Sequence, residues 1–193
     1  MLKKLYEQTL ALAARPGALK ALALIAFVES SVFPIPPDVL LIPMILAERD
    51  QAWRIAGVCT LFSVLGGVVG YGLGFFLFET LGRPLLALYG AGDSFASFQA
   101  GYNEWGAWIV AGAELTPFPY KVVTILSGVT GMNLWTFILV SILARGARFF
   151  LEAGLLWYAG PAIREVLEKN LKLATTLAFA LLFGGFILVR YVF

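Results

Sequence analysis

Seven ionisable residues fall inside apolar stretches of this 193-residue chain: Glu29, Asp38, Glu114, Lys121, Arg145, Arg148 and Glu152. A charge at the middle of a bilayer costs roughly 2.5–3.5 kcal/mol on insertion scales, so such residues pair, face water or serve a transport path. Carboxylates can carry a proton, and a guanidinium in a low-dielectric cavity binds phosphate bidentately. The set therefore has the chemistry of a site that handles anions and protons. Arg145, Arg148 and Lys121, with Tyr120 and Glu152, are the candidate substrate contacts. Glu29, Asp38 and Glu114 are the candidate proton carriers. Four acids against three bases leave a formal charge of −1. A dry cluster would hold one proton, on Glu29 or Glu114.

Two of these groups sit at matched places in a repeat. The first copy runs from Glu29 through Pro34, Pro36 and Pro37 to Asp38 and Val39, and the second from Glu114 through Pro117 and Pro119 to Lys121 and Val122. A shift of 83 residues lays Pro34, Pro36, Asp38 and Val39 on Pro117, Pro119, Lys121 and Val122. Each copy is a Pro-x-Pro elbow, with an acid in one and a base in the other. Proline shapes such an elbow, and irregular backbone at membrane depth is tolerated only where protein or a water-filled cavity covers it. The two elbows are expected to face each other inside the protein, where half-helix ends can aim donors and acceptors at a ligand.

The elements that must position these elbows are membrane elements. The chain is 60% hydrophobic and only 13% charged, with mean hydropathy +0.86, against about 25% charge in soluble domains. It has no histidine and one cysteine, Cys59. That excludes imidazole acid/base chemistry, an intrachain disulfide and a thiolate metal cluster. No cofactor is expected.

Runs of about 20 apolar residues span a bilayer and runs of about 10–14 do not. Arg54–Phe78, Leu134–Ala159 and Leu171–Phe193 are long enough. Ala21–Phe33 with Val39–Ala47, and Trp105–Leu115 with Val122–Val129, are short pairs joined by the elbows. Each pair predicts a re-entrant helical hairpin. A hairpin returns to its own side and the following span crosses, so the second half is inverted relative to the first. The expected fold is an all-α integral membrane protein: an inverted repeat of re-entrant hairpin plus transmembrane helix, with an additional C-terminal transmembrane helix. One membrane domain covers 1–193. It divides into an amphipathic N-terminal helix (1–20), repeat 1 (21–78), an external interfacial segment (79–104), repeat 2 (105–160), and a cytoplasmic loop with the last span (161–193). Within the interfacial segment Phe95, Phe98, Tyr102 and Trp105 share a helix face suited to the headgroup layer. With the N-terminus inside, nine bases lie on the cytoplasmic side and two, Arg83 and Arg190, outside, as the positive-inside rule requires.

Arg145, Arg148 and Glu152 stand at about 0°, 300° and 340° around a helix, on one face. Arg148 and Glu152 are spaced to pair. A structural reading pairs Asp38 with Lys121 across the two halves and Arg148 with Glu152; Glu29 and Arg145 are then left without an evident partner, which favours function for them. The first span carries Gly66, Gly67, Gly70, Gly72 and Gly74 instead of charges. Glycines at 66, 70 and 74 form one smooth face for close helix packing. Tyr71 between them reads as a core tyrosine.

Glu29 with the aromatic and proline-rich turn and Pro37-Asp38 resembles the first signature of the DedA family of bacterial membrane proteins, relatives of the SNARE-associated Golgi or VTT-domain proteins. The Gly70-Tyr71-x-Leu73-Gly74 stretch and Ser127-Gly128 after the second elbow are also similar. The resemblance covers roughly 20–160. It implies two re-entrant hairpins in inverted repeat, a multi-pass place in the bacterial inner membrane with a cytoplasmic N-terminus, and movement of lipids between leaflets. It further implies undecaprenyl phosphate or a phospholipid such as phosphatidylethanolamine as substrate, with proton coupling, and carries the acidic pair to Glu29 and Asp38. Many members have Arg-x-x-Pro-x-x-Arg in the second elbow. Here Glu114 and Tyr120 take the arginine positions, with Lys121 next, closer to the YqaA-like branch.

The reading is a flippase or scramblase for a phosphate-bearing lipid, with lipid and protons as partners, a homodimer as an option to cover the hairpins, and no nucleic acid. A proton-coupled transporter of a small ion or solute fits the same charges. A membrane enzyme acting on lipid phosphate fits less well, since no nucleophile constellation accompanies the glutamates.

Overall fold

The computed structural model describes residues 17–31, 36–115 and 119–169, with the side chains of Glu114, Leu115 and residues 161–169 left aside. The expected amphipathic N-terminal helix, the final span, Pro34, Pro117 and the Glu114 side chain lie outside this description. All regular structure among the described residues is helical: α1 (Ala18–Ser31), α2 (Asp38–Ala47), α3 (Ala52–Leu77), α4 (Arg83–Tyr89), α5 (Gly92–Leu115), α6 (Tyr120–Val129) and α7 (Leu134–Lys169). A short 3₁₀ turn precedes α3, and a π-helical turn, Phe78–Gly82, joins α3 to α4.

The short helices are short because proline stops them. Pro37 precedes α2 and Pro119 precedes α6, where a missing N–H costs nothing. At 1.5 Å per residue α2 and α6 are each ~15 Å long and α1 ~21 Å, too little to cross about 30 Å of hydrocarbon. Two helical stretches, Arg49–Tyr89 and Leu134–Gly160, are long and apolar enough to cross a membrane. Their outer faces expose Leu61, Leu65, Leu73 and Phe76 on one and Leu139, Leu143, Leu151 and Leu155 on the other. Water does not tolerate apolar patches of that extent on a monomer, whereas lipid favours them.

The packing is crossed. Helix α3 packs chiefly on α1 and α6, while α7 packs on α3, α5 and α2. Each long helix thus takes the first arm before it and the second arm of the other half. Glycine makes the crossing possible. A Cβ on Gly66 would overlap the carbonyl oxygen of Phe27 in α1, and one on Gly74 would overlap that of Ile125 in α6. Between them Gly70 faces both Thr124 and the Ser30 carbonyl. Gly128 returns the contact against the Tyr71 carbonyl. The expected smooth face at 66, 70 and 74 is therefore the crossing point of both halves, and Tyr71 is a core residue whose hydroxyl donates to the Met132 carbonyl at 2.6 Å.

Local chemistry also sets the α6–α7 corner. Gly131 adopts a left-handed φ of 63°, and Met132 N–H reaches back to the Ser127 carbonyl at 3.0 Å, a Schellman stop. Gln99 and Asn103 donate to the Thr130 carbonyl at 2.7 and 3.0 Å. Asn133 then caps α7 through Thr136 N–H at 3.0 Å.

Two expectations change. The interfacial segment and the following arm, divided in the sequence reading at 104/105, form one helix, α5. No proline or left-handed glycine separates them, so the helix runs through. Tyr102 faces inward: it is buried, with its hydroxyl 3.0 Å from Ser127 Oγ, while Phe98 and Trp105 remain exposed.

Because the clash partners at Gly74 and Gly128 are backbone carbonyls, Gly74→Ala and Gly128→Ala are each expected to cost about 1–3 kcal/mol by overpacking. Gly72 has nothing within 4 Å, and Gly72→Ala is expected to stay neutral or stabilise by up to about 1 kcal/mol through helix propensity. Thermal unfolding of the three variants in detergent checks this, and equal midpoints would refute the crossing.

Candidate charged site between the elbows

The buried interior divides into two apolar clusters. One joins α1, α2 and α3 to Phe149, Ala153 and Leu156 of α7. The other joins α5 and α6 to Met132 and Phe137. Several buried polar residues, Ser30, Ser63, Thr124, Ser141 and Arg145, belong to neither cluster.

Arg145 is the centre of the charged site. It is 1% exposed, and its Nη2 donates to Glu29 Oε2 at 2.9 Å. Its guanidinium lies 4.1 Å from the Tyr120 ring centroid and 5.4 Å from that of Phe149. Cation–π contacts of this kind reach about 2 kcal/mol when desolvated. Tyr120 is itself held: its hydroxyl donates to Ser141 Oγ at 2.8 Å, and a Cβ on Gly67 would come within 2.8 Å of that hydroxyl. Glu29, the acceptor, also receives Ser30 Oγ at 3.1 Å. Helices α1, α6 and α7 thus meet at one guanidinium, with α3 packed behind the Tyr120 ring.

A second pair lies one turn away. Arg148 Nη2 donates to Asp38 Oδ2 at 2.7 Å, with the Arg148 side chain 39% exposed against 2% for Arg145. Asp38 stands in the first turn of α2, where the helix dipole favours a carboxylate. Its second oxygen, Oδ1, is buried and makes no hydrogen bond among the described residues. Phe149 lies between the two arginines, 5.5 Å from the Arg148 guanidinium.

These pairs correct the structural pairing expected from sequence. Asp38 meets Arg148 and not Lys121, because α2 packs on α7 whereas α6 packs chiefly on α3. Arg148 turns to Asp38 and not to Glu152, although i,i+4 spacing allowed the latter. Arg145, expected to lack an evident partner, pairs with Glu29 across 116 residues of chain. Lys121 and Glu152 are half-buried and make no ion pair among the described residues. Pro37 is buried at the elbow, while Pro36 and Pro119 are exposed. Sequence reasoning passed over Ser30, Ser63, Thr124 and Ser141. The i,i+4 spacing of Ser141 and Arg145, and Ser30 beside Glu29, were the available signals.

Among the described residues no group of three histidine, cysteine, aspartate or glutamate side chains is placed to hold a metal. The groups present can bind an anion, exchange a proton and exchange partners.

The VTT domain profile matches residues 35–158, which takes in α2 through most of α7. The chain belongs to the VTT domain family. This is the DedA/SNARE-associated superfamily that the elbow and glycine motifs resemble, and it makes the chain a membrane protein with helical spans. The chain is also 31% identical over 169 residues to an uncharacterized protein of Haemophilus influenzae, covering 88% of each. It is 33% identical over 168 residues to an uncharacterized homologue from Histophilus somni, covering 87% of each. No solved structure matches the chain. The VTT match starts just after Pro34, so Glu29, the acceptor of the buried arginine, lies before it.

Breaking a buried ion pair costs about 3–5 kcal/mol, and an exposed one about 1 kcal/mol or less. Glu29→Ala is therefore expected to lower stability by about 3 kcal/mol, and Asp38→Ala by less, since its pair is only partly buried. Unfolding midpoints in detergent measure both; an Asp38→Ala loss as large as that of Glu29→Ala would contradict the division into a buried and an open pair.

Proposed function

We propose that this VTT-domain protein moves a phosphate-bearing membrane lipid between leaflets, with a proton as the coupling ion, and performs no covalent chemistry on it. The observation that carries the reading is the open Arg148–Asp38 pair beside the buried Arg145–Glu29 pair. Guanidinium binds phosphate and carboxylate by the same bidentate geometry, so a lipid phosphate can replace Asp38 on Arg148. A proton taken up by Asp38 releases Arg148 to the phosphate; its loss lets Asp38 reclaim the arginine and expel the headgroup. Lys121 and Tyr120 flank the path, Glu29 and Glu114 are further proton carriers, and Glu152 completes the α7 face. The acyl chains stay in the bilayer.

The reading includes a topology. The two elbow hairpins enter from opposite faces as an inverted repeat, and the N-terminus is cytoplasmic, as the positive-inside rule favours for this charge distribution. The crossed packing of the two long helices and the family membership support it.

The test is lipid translocation in proteoliposomes, read by bleaching of a fluorescent phospholipid with an impermeant quencher. The wild type is expected to exceed empty vesicles, and Arg148→Ala to fall to the empty-vesicle rate while remaining folded. Asp38→Asn is expected to lose any response to a pH gradient. Transport at the full rate by Arg148→Ala would remove the site from the pathway. Electrogenic uptake of a soluble anion without lipid movement would favour a small-solute transporter instead.

A further inference from the structure

The far end of α3 holds a cavity of about 500 Å3, bounded by the π-helical turn, α4, α5 and the α6–α7 corner. Phe75, Phe78, Glu79, Arg83, Phe95 and Gln99 line it. It shares no residue with the charged site, and Phe78 lies ~16 Å further along the helix than Gly67, at 1.5 Å per residue. Its size falls in the range of small-molecule pockets.

Its walls have two characters. Phe78 and Phe95 stack with centroids 4.5 Å apart and planes 25° apart. Gly82 makes room for this, since a Cβ there would overlap the Phe78 ring. The π-helical turn places Phe78 and Gly82 in this register, and such turns inside α-helices are frequent at functional sites. At the rim Arg83 Nη2 and Glu79 Oε1 form an ion pair of 2.9 Å, with the side chains 66% and 36% exposed. An exposed pair contributes little to stability, so a ligand can take either partner at small cost.

Depth and charge together select the ligand. The apolar run Arg54–Phe78 is ~36 Å long, slightly more than the hydrocarbon core of about 30 Å. Glu79 and Arg83 therefore stand where lipid headgroups lie, on the face opposite Arg54. A headgroup with one phosphate and one ammonium satisfies both: phosphate on Arg83, ammonium on Glu79. A purely anionic headgroup would meet the Glu79 carboxylate, and a lone cation would leave Arg83 unmatched. The geometry points to this cavity as a second site, separate from the charged cluster, that binds the zwitterionic headgroup of an aminophospholipid with its first acyl carbons against Phe78 and Phe95.

Native mass spectrometry of the full chain in detergent tests this without any transport readout. Dioctanoyl phosphatidylethanolamine, dioctanoyl phosphatidylglycerol and soluble glycerophosphoethanolamine are added to an Arg148→Gln background, which silences the charged cluster. The phosphatidylethanolamine is expected to stay bound in that background. Adding Arg83→Ala is expected to weaken it about tenfold, the loss of one charge-assisted contact. Adding Glu79→Gln is expected to remove the preference over phosphatidylglycerol. Unchanged binding in Arg83→Ala, or binding abolished by Arg148→Gln alone, overturns the proposal. Equal binding of glycerophosphoethanolamine overturns the lipid assignment.

Discussion

A guanidinium buried in an apolar protein inside hydrocarbon has to be surrounded on every side by groups that tolerate it. Arg145 meets that constraint with a carboxylate from α1, an aromatic face from α6 and another from its own helix. Glu29 and Tyr120 are far from Arg145 in sequence, so the charge can be satisfied only when α1, α6 and α7 have come together. Desolvation makes the isolated charge prohibitive and the assembled one tolerable. The pair adds little net stability relative to an apolar core. It penalises arrangements that leave one elbow elsewhere, and in that way it specifies which helices meet.

The glycine stripe on α3 is the second half of the same solution. Tyr120 can lie over Arg145 only if α6 approaches α3 closely, and Gly67 leaves the space in which its hydroxyl rests. Gly70 and Gly74 continue that approach down α6, and Gly66 does the same for α1. Small residues substitute for the hydrophobic effect here, since lipid is as apolar as the helices and only close packing and polar contacts favour association. The face without charges and the face with them are thus matched: α3 supplies the space and α7 supplies the charge.

This division explains what was legible in the chain. The short helices beside the prolines, two of the long spans, the glycine face and the α7 charge face follow from spacing alone, because each is a property of one element or of a repeated pattern. Partner choice did not follow. Asp38 and Lys121 occupy equivalent repeat positions, and equivalence suggests pairing across the two-fold; crossed packing instead sends α2 to α7. Arg148 and Glu152 satisfy a helical rule that a better-placed carboxylate overrides. The continuity of α5 through position 105 was missed for a related reason: hydropathy changes there, but nothing in the backbone chemistry breaks a helix.

The two arginine pairs differ in how readily each could exchange its partner. A site that holds its ligand must also release it, so its positive charge must have an alternative partner of similar strength. A fully buried pair makes a poor exchanger, because separating it strands two charges in a dry interior. An open pair exchanges readily but would drift without a fixed neighbour. Here one turn of α7 separates the two kinds, with Phe149 between them. Arg145 fixes α7 against α1 and α6, and that fixed frame keeps Arg148 beside Asp38. Asp38 keeps one buried oxygen without a hydrogen bond among the described residues, while Arg148 leaves no such atom. The less fully satisfied member of the open pair is therefore the acid and not the base.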